Sequence, residues 1–176
     1  MIKKIAIVLS VVLVALVVCA AMKPGEFYIY REVSIKAAPE RIFPLINNSK
    51  ESGRWMPWAE ADPLMKMAYS GPESGVGSLS SWESSGRMGV GTCTISESTA
   101  NQSVKFRLEY HKPFQMNQEA EISIKPNGDQ SVVRWSVSGN NPFFCRFMSI
   151  FMNMDKMVGA SFEKGLAKLK ALVESN

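Results

Sequence analysis

The sequence has few of the residues that build metal sites and nucleophilic active sites. Among its 176 residues there is a single histidine, His111, and there are three cysteines. Cys93 and Cys145 have neither CxxC nor Cys/His spacing, so we expect no structural metal and no other cofactor. In an exported domain these two cysteines are compatible with a disulfide or with two buried thiols. No Ser-His-Asp pattern accompanies His111, so we assign no catalytic residue.

A strong excess of one charge is also missing. The formal net charge is +4 at pH 7, and two of the lysines, Lys3 and Lys4, precede an apolar segment. The rest of the chain has 18 basic and 16 acidic residues. This balance does not supply the dense basic surface that nucleic-acid binding requires, so we expect no nucleic-acid partner. The glycine-rich segment Gly71–Gly77 has no GKS or GKT after it, which argues against a phosphate loop.

The longest uncharged run lies near the N-terminus, from Ile5 to Met22. As a helix, these eighteen residues span about 27 Å, close to the thickness of a hydrocarbon core. Lys3 and Lys4 should stay cytoplasmic, which sends the following domain across the inner membrane. A cleaved signal peptide and a lipoprotein signal using Cys19 are the alternatives. We assign residues 1–23 to a transmembrane anchor or uncleaved signal and residues 24–176 to a domain on the periplasmic or extracellular side.

The C-terminal segment Met154–Glu174 has the period of an amphipathic helix, with Asn153 as its expected N-cap. Its apolar residues cover about 120° of one face. Gly165 lies near the centre of this face, where glycine costs about 1 kcal/mol relative to alanine. Either another part of the chain packs closely against the helix backbone at Gly165, or space is left open there for a ligand. The residues of this face are Met154, Val158, Phe162, Gly165, Leu166, Leu169, Leu172 and Val173.

Ahead of this helix, alternating apolar and polar residues predict about seven strands. Two short helices follow the first strand; one begins at Pro39 and contains Pro44, which should kink or shorten it. Short turns, notably Asn127-Gly128, connect the later strands as an antiparallel meander. The expected strands are Phe27–Ile35, Lys66–Ser70, Ser78–Ser84, Gly91–Ser98, Val104–His111, Asn117–Lys125 and Ser131–Ser138.

These elements predict an α+β domain in which a curved antiparallel sheet wraps around the long C-terminal helix. Together with segments such as Val33–Ile46, Trp55–Trp58 and Asn153–Lys170, this order of elements resembles the SRPBCC superfamily, with its START-like or helix-grip fold, and within it the polyketide cyclase/dehydrase and lipid transport group. The resemblance implies a cavity between sheet and helix, but no common catalytic motif, because the fold serves many functions. It covers about residues 27 to 174 and rests on the segments Val33–Ile46, Trp55–Trp58, Gly71–Gly77, Ser81–Glu83 and Asn153–Lys170.

Aromatic and methionine side chains are the candidates for the wall of such a cavity, because they suit apolar ligands. Trp58 and Trp82 fall within the resembling segments. Core packing is the alternative for each aromatic side chain, and an interaction with the helix N-terminus is the alternative for Asp155. The candidate ligand-binding residues are Trp58, Tyr69, Trp82, Tyr110, Met154, Asp155, Val158, Phe162 and Gly165.

Our first functional hypothesis is therefore a membrane-tethered, non-catalytic domain that binds a hydrophobic or amphiphilic, lipid-like small molecule in a cavity between the sheet and the C-terminal helix. One alternative is a cyclase/dehydrase-like enzyme in which His111, Asp155 or Glu83 moves a proton. The other is a protein-interaction module of the cell envelope, with the sheet face or the Phe143–Phe151 segment as its contact surface.

Overall fold

The N-terminal segment forms one long apolar helix. The computed structural model describes residues 1–86, 88–113 and 115–175, and its first element is α1, Ile2–Met22. From Lys3 to Met22 this helix has a mean hydropathy of 3.1, and it is long and apolar enough to cross a membrane. A membrane anchor and a signal sequence both have these properties. Near its C-terminal end, Ala20 is fully buried.

Seven antiparallel strands form a single sheet in the order β1-β7-β6-β5-β4-β3-β2. The later strands pair with their neighbours in sequence, and β1 pairs with the last strand, so the predicted meander and α+β fold class are confirmed. The strands are β1 (Glu26–Ile35), β2 (Lys66–Ser70), β3 (Leu79–Glu83), β4 (Val90–Thr99), β5 (Ser103–Lys112), β6 (Met116–Asn127) and β7 (Gln130–Asn140).

Three short helices, one more than the sequence predicts, connect β1 to β2. They are α2 (Pro39–Ile46), α3 (Ser49–Ser52) and α4 (Trp58–Ala61). Pro39 occupies the first turn of α2, where its missing N–H costs nothing, and the helix ends two residues after Pro44. Asn48 caps α3, because its side chain accepts hydrogen bonds from the backbone N–H groups at the start of that helix.

The last two helices are α5 (Phe143–Met148) and α6 (Met154–Glu174). The bounds predicted for α6 are confirmed, and so is its cap: the Asn153 side chain accepts a hydrogen bond of 2.9 Å from the Lys156 backbone N–H. At its far end, Lys170 donates to the Ser34 carbonyl at 2.6 Å. Because Arg31 pairs with Asp155 near the start of α6, this helix runs along β1 in the same direction as the strand.

The core lies between the apolar face of α6 and the concave face of the sheet. Because side chains alternate along a strand, every second side chain of each strand points toward this core, as the sequence pattern predicts. The segment with the short helices closes one side with three fully buried side chains, those of Ile42 and Ile46 in α2 and of Trp55 between α3 and α4. The buried residues of the sheet and of α6 are Ile29, Ile35, Ile95, Val104, Phe106, Ala120, Ile122, Ile124, Val133, Trp135, Val137, Phe162, Leu166, Leu169 and Val173.

Candidate functional site

The register of the strands identifies the side chains that share the concave face with α6. Arg31 and Trp135 are directly opposed in register, and both contact α6, because Arg31 pairs with Asp155 and Trp135 stacks on Phe162. Side chains alternate along each strand, so every second residue from these positions lies on the same face. Following this register across the sheet gives successive rows of concave-face residues.

Two of these rows lie toward the end of the sheet where β1 begins. The outer row runs through directly paired positions of β2 to β6, and the inner row crosses the whole sheet to β1. Together we call them the concave patch. The outer row is Met67, Trp82, Gly91, Tyr110 and Met116, and the inner row is Tyr69, Ser80, Cys93, Leu108, Gln118, Gly139 and Phe27.

Burial changes between these rows and the next one along the strands. In that next row, Ile95 is 1% exposed and Phe106 is 4% exposed. In the concave patch, Met67 is 38% exposed and Tyr69 is 43% exposed, and Leu108 is half-buried. The concave face is therefore filled at its centre, whereas toward this end it is open at the edge strand β2 and half-buried at Leu108, with Trp82 still buried.

Trp82 is the largest side chain of the concave patch, and the chain makes room for it. Its indole lies over Gly91, where the Cβ of any other residue would overlap the ring. Its Nε1 donates a 3.0 Å hydrogen bond to the Met88 carbonyl. The ring meets Tyr110 edge to face, with centroids 5.5 Å apart, which is a favourable aromatic arrangement. Trp82 and Tyr110, both predicted from the sequence, are thus brought together.

The polar groups of the concave patch are uncharged at neutral pH. Burial raises the pKa of the Cys93 thiol to about 12. Burial, and to a smaller extent the neighbouring Cys93, raises the pKa of the Tyr110 hydroxyl to about 12. Both groups therefore stay protonated and can donate hydrogen bonds. None of the residues in the two rows is an aspartate, glutamate, lysine or arginine.

Gly165 lies at a closely packed part of the interface, and the alternative of open space there is wrong. A Cβ at this position would come within 2.8 Å of the Trp135 ring and within 3.2 Å of Pro57 Cδ. The Trp135 ring stacks on Phe162, with centroids 4.1 Å apart and planes at 9°. Trp58 meets Trp135 edge to face, with centroids 6.1 Å apart. Phe162, Gly165 and one face of Trp58 thus belong to the packed core beside the concave patch.

Asp155 lies in an ion-pair cluster on α6. Its carboxylate accepts hydrogen bonds of 3.2 and 3.0 Å from Arg31, which also donates to Glu163 at 2.7 Å. The Arg31 hydrogen bonds hold the pKa of the Asp155 carboxyl below its usual value. The guanidinium crosses α6 at Gly159, where a side chain would collide with it. Asp155 thus holds the start of α6 to β1.

Arg31 is not among the residues predicted for the site, although the sequence pattern of β1 contains a clue to it. Arg31 is the charged residue among the inward positions of β1, between Ile29 and Val33. A charge at such a position requires a partner from the element that covers the strand. The remaining helix candidates, Met154 and Val158, are half-buried on α6.

The residues considered for proton transfer lie away from the concave patch. His111 is exposed and follows Tyr110, and Glu83 is exposed and follows Trp82, so strand alternation places both on the opposite face of the sheet. Cys93 and Cys145 are free thiols. Among the described residues, no group of three His, Cys, Asp or Glu side chains is placed to hold a metal ion.

Comparison with solved structures relates this architecture to known proteins. The protein CV1439 from Chromobacterium violaceum superimposes with a TM-score of 0.60 and 14% identity, over 86% of this chain and 99% of that one. The protein MLL2253 from Mesorhizobium loti gives a TM-score of 0.58 and 19% identity, over 85% of this chain and 98% of its own.

A third similar structure is that of a protein from a biosynthetic pathway. The di-domain ARO/CYC StfQ, from the steffimycin biosynthetic pathway, has a TM-score of 0.63 and 8% identity, over 85% of this chain and 51% of StfQ. At such identities the likeness concerns the fold alone. No curated protein sequence matches the chain.

The fold and the sequence agree on the family. A family model described as polyketide cyclase / dehydrase and lipid transport matches residues 27–174. This span begins in β1 and ends at the last residue of α6, so it contains the whole sheet and the helix that covers it. The chain therefore belongs to the polyketide cyclase/dehydrase and lipid transport family of the SRPBCC superfamily.

Proposed function

We propose that this protein binds a hydrophobic or amphiphilic small molecule at the concave patch, without catalysis, while α1 tethers it to the inner membrane. The domain would lie on the periplasmic or extracellular side. The observation that carries the proposal is the change in burial along the concave face, from the filled rows around Phe106 and Ile122 to the half-buried rows around Leu108, which open to solvent at β2. Accessible apolar surface with a few polar groups is typical of ligand sites.

The chemistry of the concave patch favours a particular class of ligand. Its side chains are apolar or aromatic, apart from neutral groups such as the Tyr110 hydroxyl and the Cys93 thiol. A charged ligand group placed among them would lose its hydration without gaining an ionic partner, which is costly. We therefore propose an apolar ligand body with a neutral hydrogen-bond acceptor, any charged head remaining in solvent.

The family supports this class of ligand. Its description joins polyketide cyclases and dehydrases to lipid transport, and StfQ is described as an ARO/CYC protein of a biosynthetic pathway. We propose binding rather than catalysis because His111 and Glu83 lie on the other face of the sheet. Asp155, the third candidate for proton transfer, is held by Arg31.

The proposal is tested by native mass spectrometry of the full chain purified from its own membrane. Leu108→Trp adds an indole to the inner row, and we expect it to lower the bound fraction of the co-purifying small molecule at least tenfold. Arg107→Trp is the matched control, because the neighbouring side chain is exposed on the opposite face of the same strand. It should retain the ligand.

Three results would contradict the proposal. Equal ligand occupancy in the two tryptophan variants would place the molecule elsewhere on the protein. A wild-type chain that carries no small molecule but retains a stable protein partner would favour the interaction-module alternative. Turnover of the bound molecule by the purified chain would contradict the non-catalytic assignment.

A further inference from the structure

An exposed apolar surface lies beside the C-terminal end of α1. It is formed by α5 and the residues that connect it to α6, and we call residues 143–152 the α5 segment. Phe151 is 63% exposed, and large side chains at this level of exposure are unusual on a protein surface when they are clustered. The exposed apolar residues of the segment are Phe143, Phe144, Phe151 and Met152.

Hydrogen bonds hold the α5 segment next to the end of the apolar helix. The Lys23 ammonium donates to the Ser149 carbonyl at 2.7 Å and to the Ser149 hydroxyl at 3.2 Å. Arg146 donates in return to the Lys23 carbonyl at 3.4 Å. Lys23 is the first residue after α1. The segment therefore lies within one side-chain length of the point where the apolar run ends.

The charges around this surface are mostly basic. From Asn141 to Met154 the chain contains Arg146 and no acidic residue. Lys23 adds a second positive charge, and the guanidinium of Arg146 lies 5.8 Å from the centre of the Phe143 ring. The two carboxylates closest in sequence are Glu26, which is exposed, and Asp155, whose charge is paired with Arg31. Exposed phenylalanines flanked by basic side chains are the composition of a segment that lies in the interface of an anionic bilayer.

A surface depression continues from the α5 segment to the start of α6. It has a volume of about 510 Å³ and is lined mainly by polar atoms, with Lys23, Ser149 and Asn153 beside Ile150, Phe151 and Met152. Such a combination suits the glycerol and upper acyl region of a phospholipid, where apolar and charged groups meet.

We infer that the α5 segment docks on the surface of the bilayer that α1 enters, with its phenylalanines in the headgroup and upper acyl region of anionic phospholipids. This inference rests on the tethering by α1 proposed above. It adds a second attachment, which fixes the orientation of the domain rather than only its distance from the membrane.

The test measures the membrane depth of single fluorescent labels on the full chain. Cys19, Cys93 and Cys145 are replaced by serine. A cysteine is then introduced by Phe151→Cys, Asn127→Cys or Val12→Cys and is labelled. Each protein is reconstituted into nanodiscs of phosphatidylcholine and phosphatidylglycerol that contain lipids spin-labelled near the headgroup or deep in the chain.

We expect shallow spin labels to quench the label at residue 151 at least threefold more than the label at residue 127. Residue 127 is the last residue of β6, at the opposite end of the sheet. Deep spin labels should quench the label at residue 12, in the middle of α1. Omission of phosphatidylglycerol should reduce quenching at residue 151 at least twofold, since Lys23 and Arg146 lose their anionic partners.

The other outcomes separate this inference from the proposal on which it rests. If residue 12 is quenched while residues 151 and 127 behave alike, α1 is inserted but the α5 segment is lifted off the bilayer, and the docking is refuted. If no label is quenched, α1 is not in the membrane, and both the tether and the docking fail. If quenching at residue 151 is the same without phosphatidylglycerol, the anionic-lipid part of the inference is wrong.

Discussion

The clearest perturbation of the fold is the addition of one methyl group to α6 by Gly165→Ala. The new Cβ would lie 2.8 Å from the Trp135 ring and 3.2 Å from Pro57 Cδ, whereas ordinary contact begins at 3.4 Å. The ring has little room to move, because it stacks on Phe162 and meets Trp55 edge to face at 5.4 Å. Overpacking of this kind costs about 1–3 kcal/mol.

Helix propensity opposes this cost. Alanine is favoured over glycine inside a helix by about 1 kcal/mol, so we expect Gly165→Ala to destabilise the protein by about 1 kcal/mol in total. For a domain of this size, that corresponds to a fall in Tm of about 2–4 °C. The measurement is thermal unfolding of the full chain in detergent, followed by circular dichroism.

Gly159→Ala on the same helix is the matched control. Its Cβ would also collide with a neighbour, but that neighbour is the guanidinium at the end of the flexible Arg31 side chain. The guanidinium can move away, at the expense of its ion pairs with Asp155 and Glu163. We therefore expect Gly159→Ala to lower Tm less than Gly165→Ala does. If both substitutions raised Tm alike, helix propensity alone would govern these positions and the packing argument would be refuted.

Three further predictions concern single groups. The first uses a chain with Cys19 and Cys145 replaced by serine, in which Cys93 should react with a small thiol reagent about a thousandfold more slowly than an ordinary cysteine. The reason is that the pKa of Cys93 is about 12 rather than 9.0. A reaction rate near that of a free cysteine would contradict the burial of Cys93. Hydrogen bonds from Lys164 and Lys168 lower the pKa of Glu60 to about 2, against 4.5 when unpaired. The ionised Glu60 carboxylate therefore stabilises the folded protein above pH 4.5, and this stabilisation is lost as the pH falls toward 2. Glu60→Gln should therefore lower Tm near neutral pH and reduce the loss of Tm on acidification, and an unchanged acid profile would count against the pair. Gly91→Ala should displace the indole that lies over it and shift the tryptophan emission spectrum, whereas an unchanged spectrum would contradict this packing.

The sequence predicts most elements of this protein because they have a periodic pattern or a capping residue. The apolar period and Asn153 together define α6, and its observed bounds agree with them. The helix α4 was not predicted, since four residues from Trp58 to Ala61 are too few to reveal a helical period.

The candidate site is less predictable because it depends on register. Trp82 and Tyr110 were identified by residue type, whereas Cys93, Leu108 and Gln118 join them only through pairing across β3 to β6. A shift of one residue in a single strand would turn its side chains to the other face. Sequence alternation tells which residues share a face within a strand, but it does not tell which residues of neighbouring strands are opposed.

The position of the outer row has a consequence for how a ligand would be supplied. In register, this row lies at the end of the sheet where β1 begins, which is the end that follows α1 directly along the chain. With α1 in the membrane, as we propose, a lipophilic ligand dissolved in the adjacent leaflet would be concentrated beside the concave patch by partitioning, much as a tether raises effective concentration. The occupancy of the concave patch would then depend on the mole fraction of the ligand in the lipid rather than on its low concentration in water. Even a modest intrinsic affinity would then suffice to keep the protein loaded.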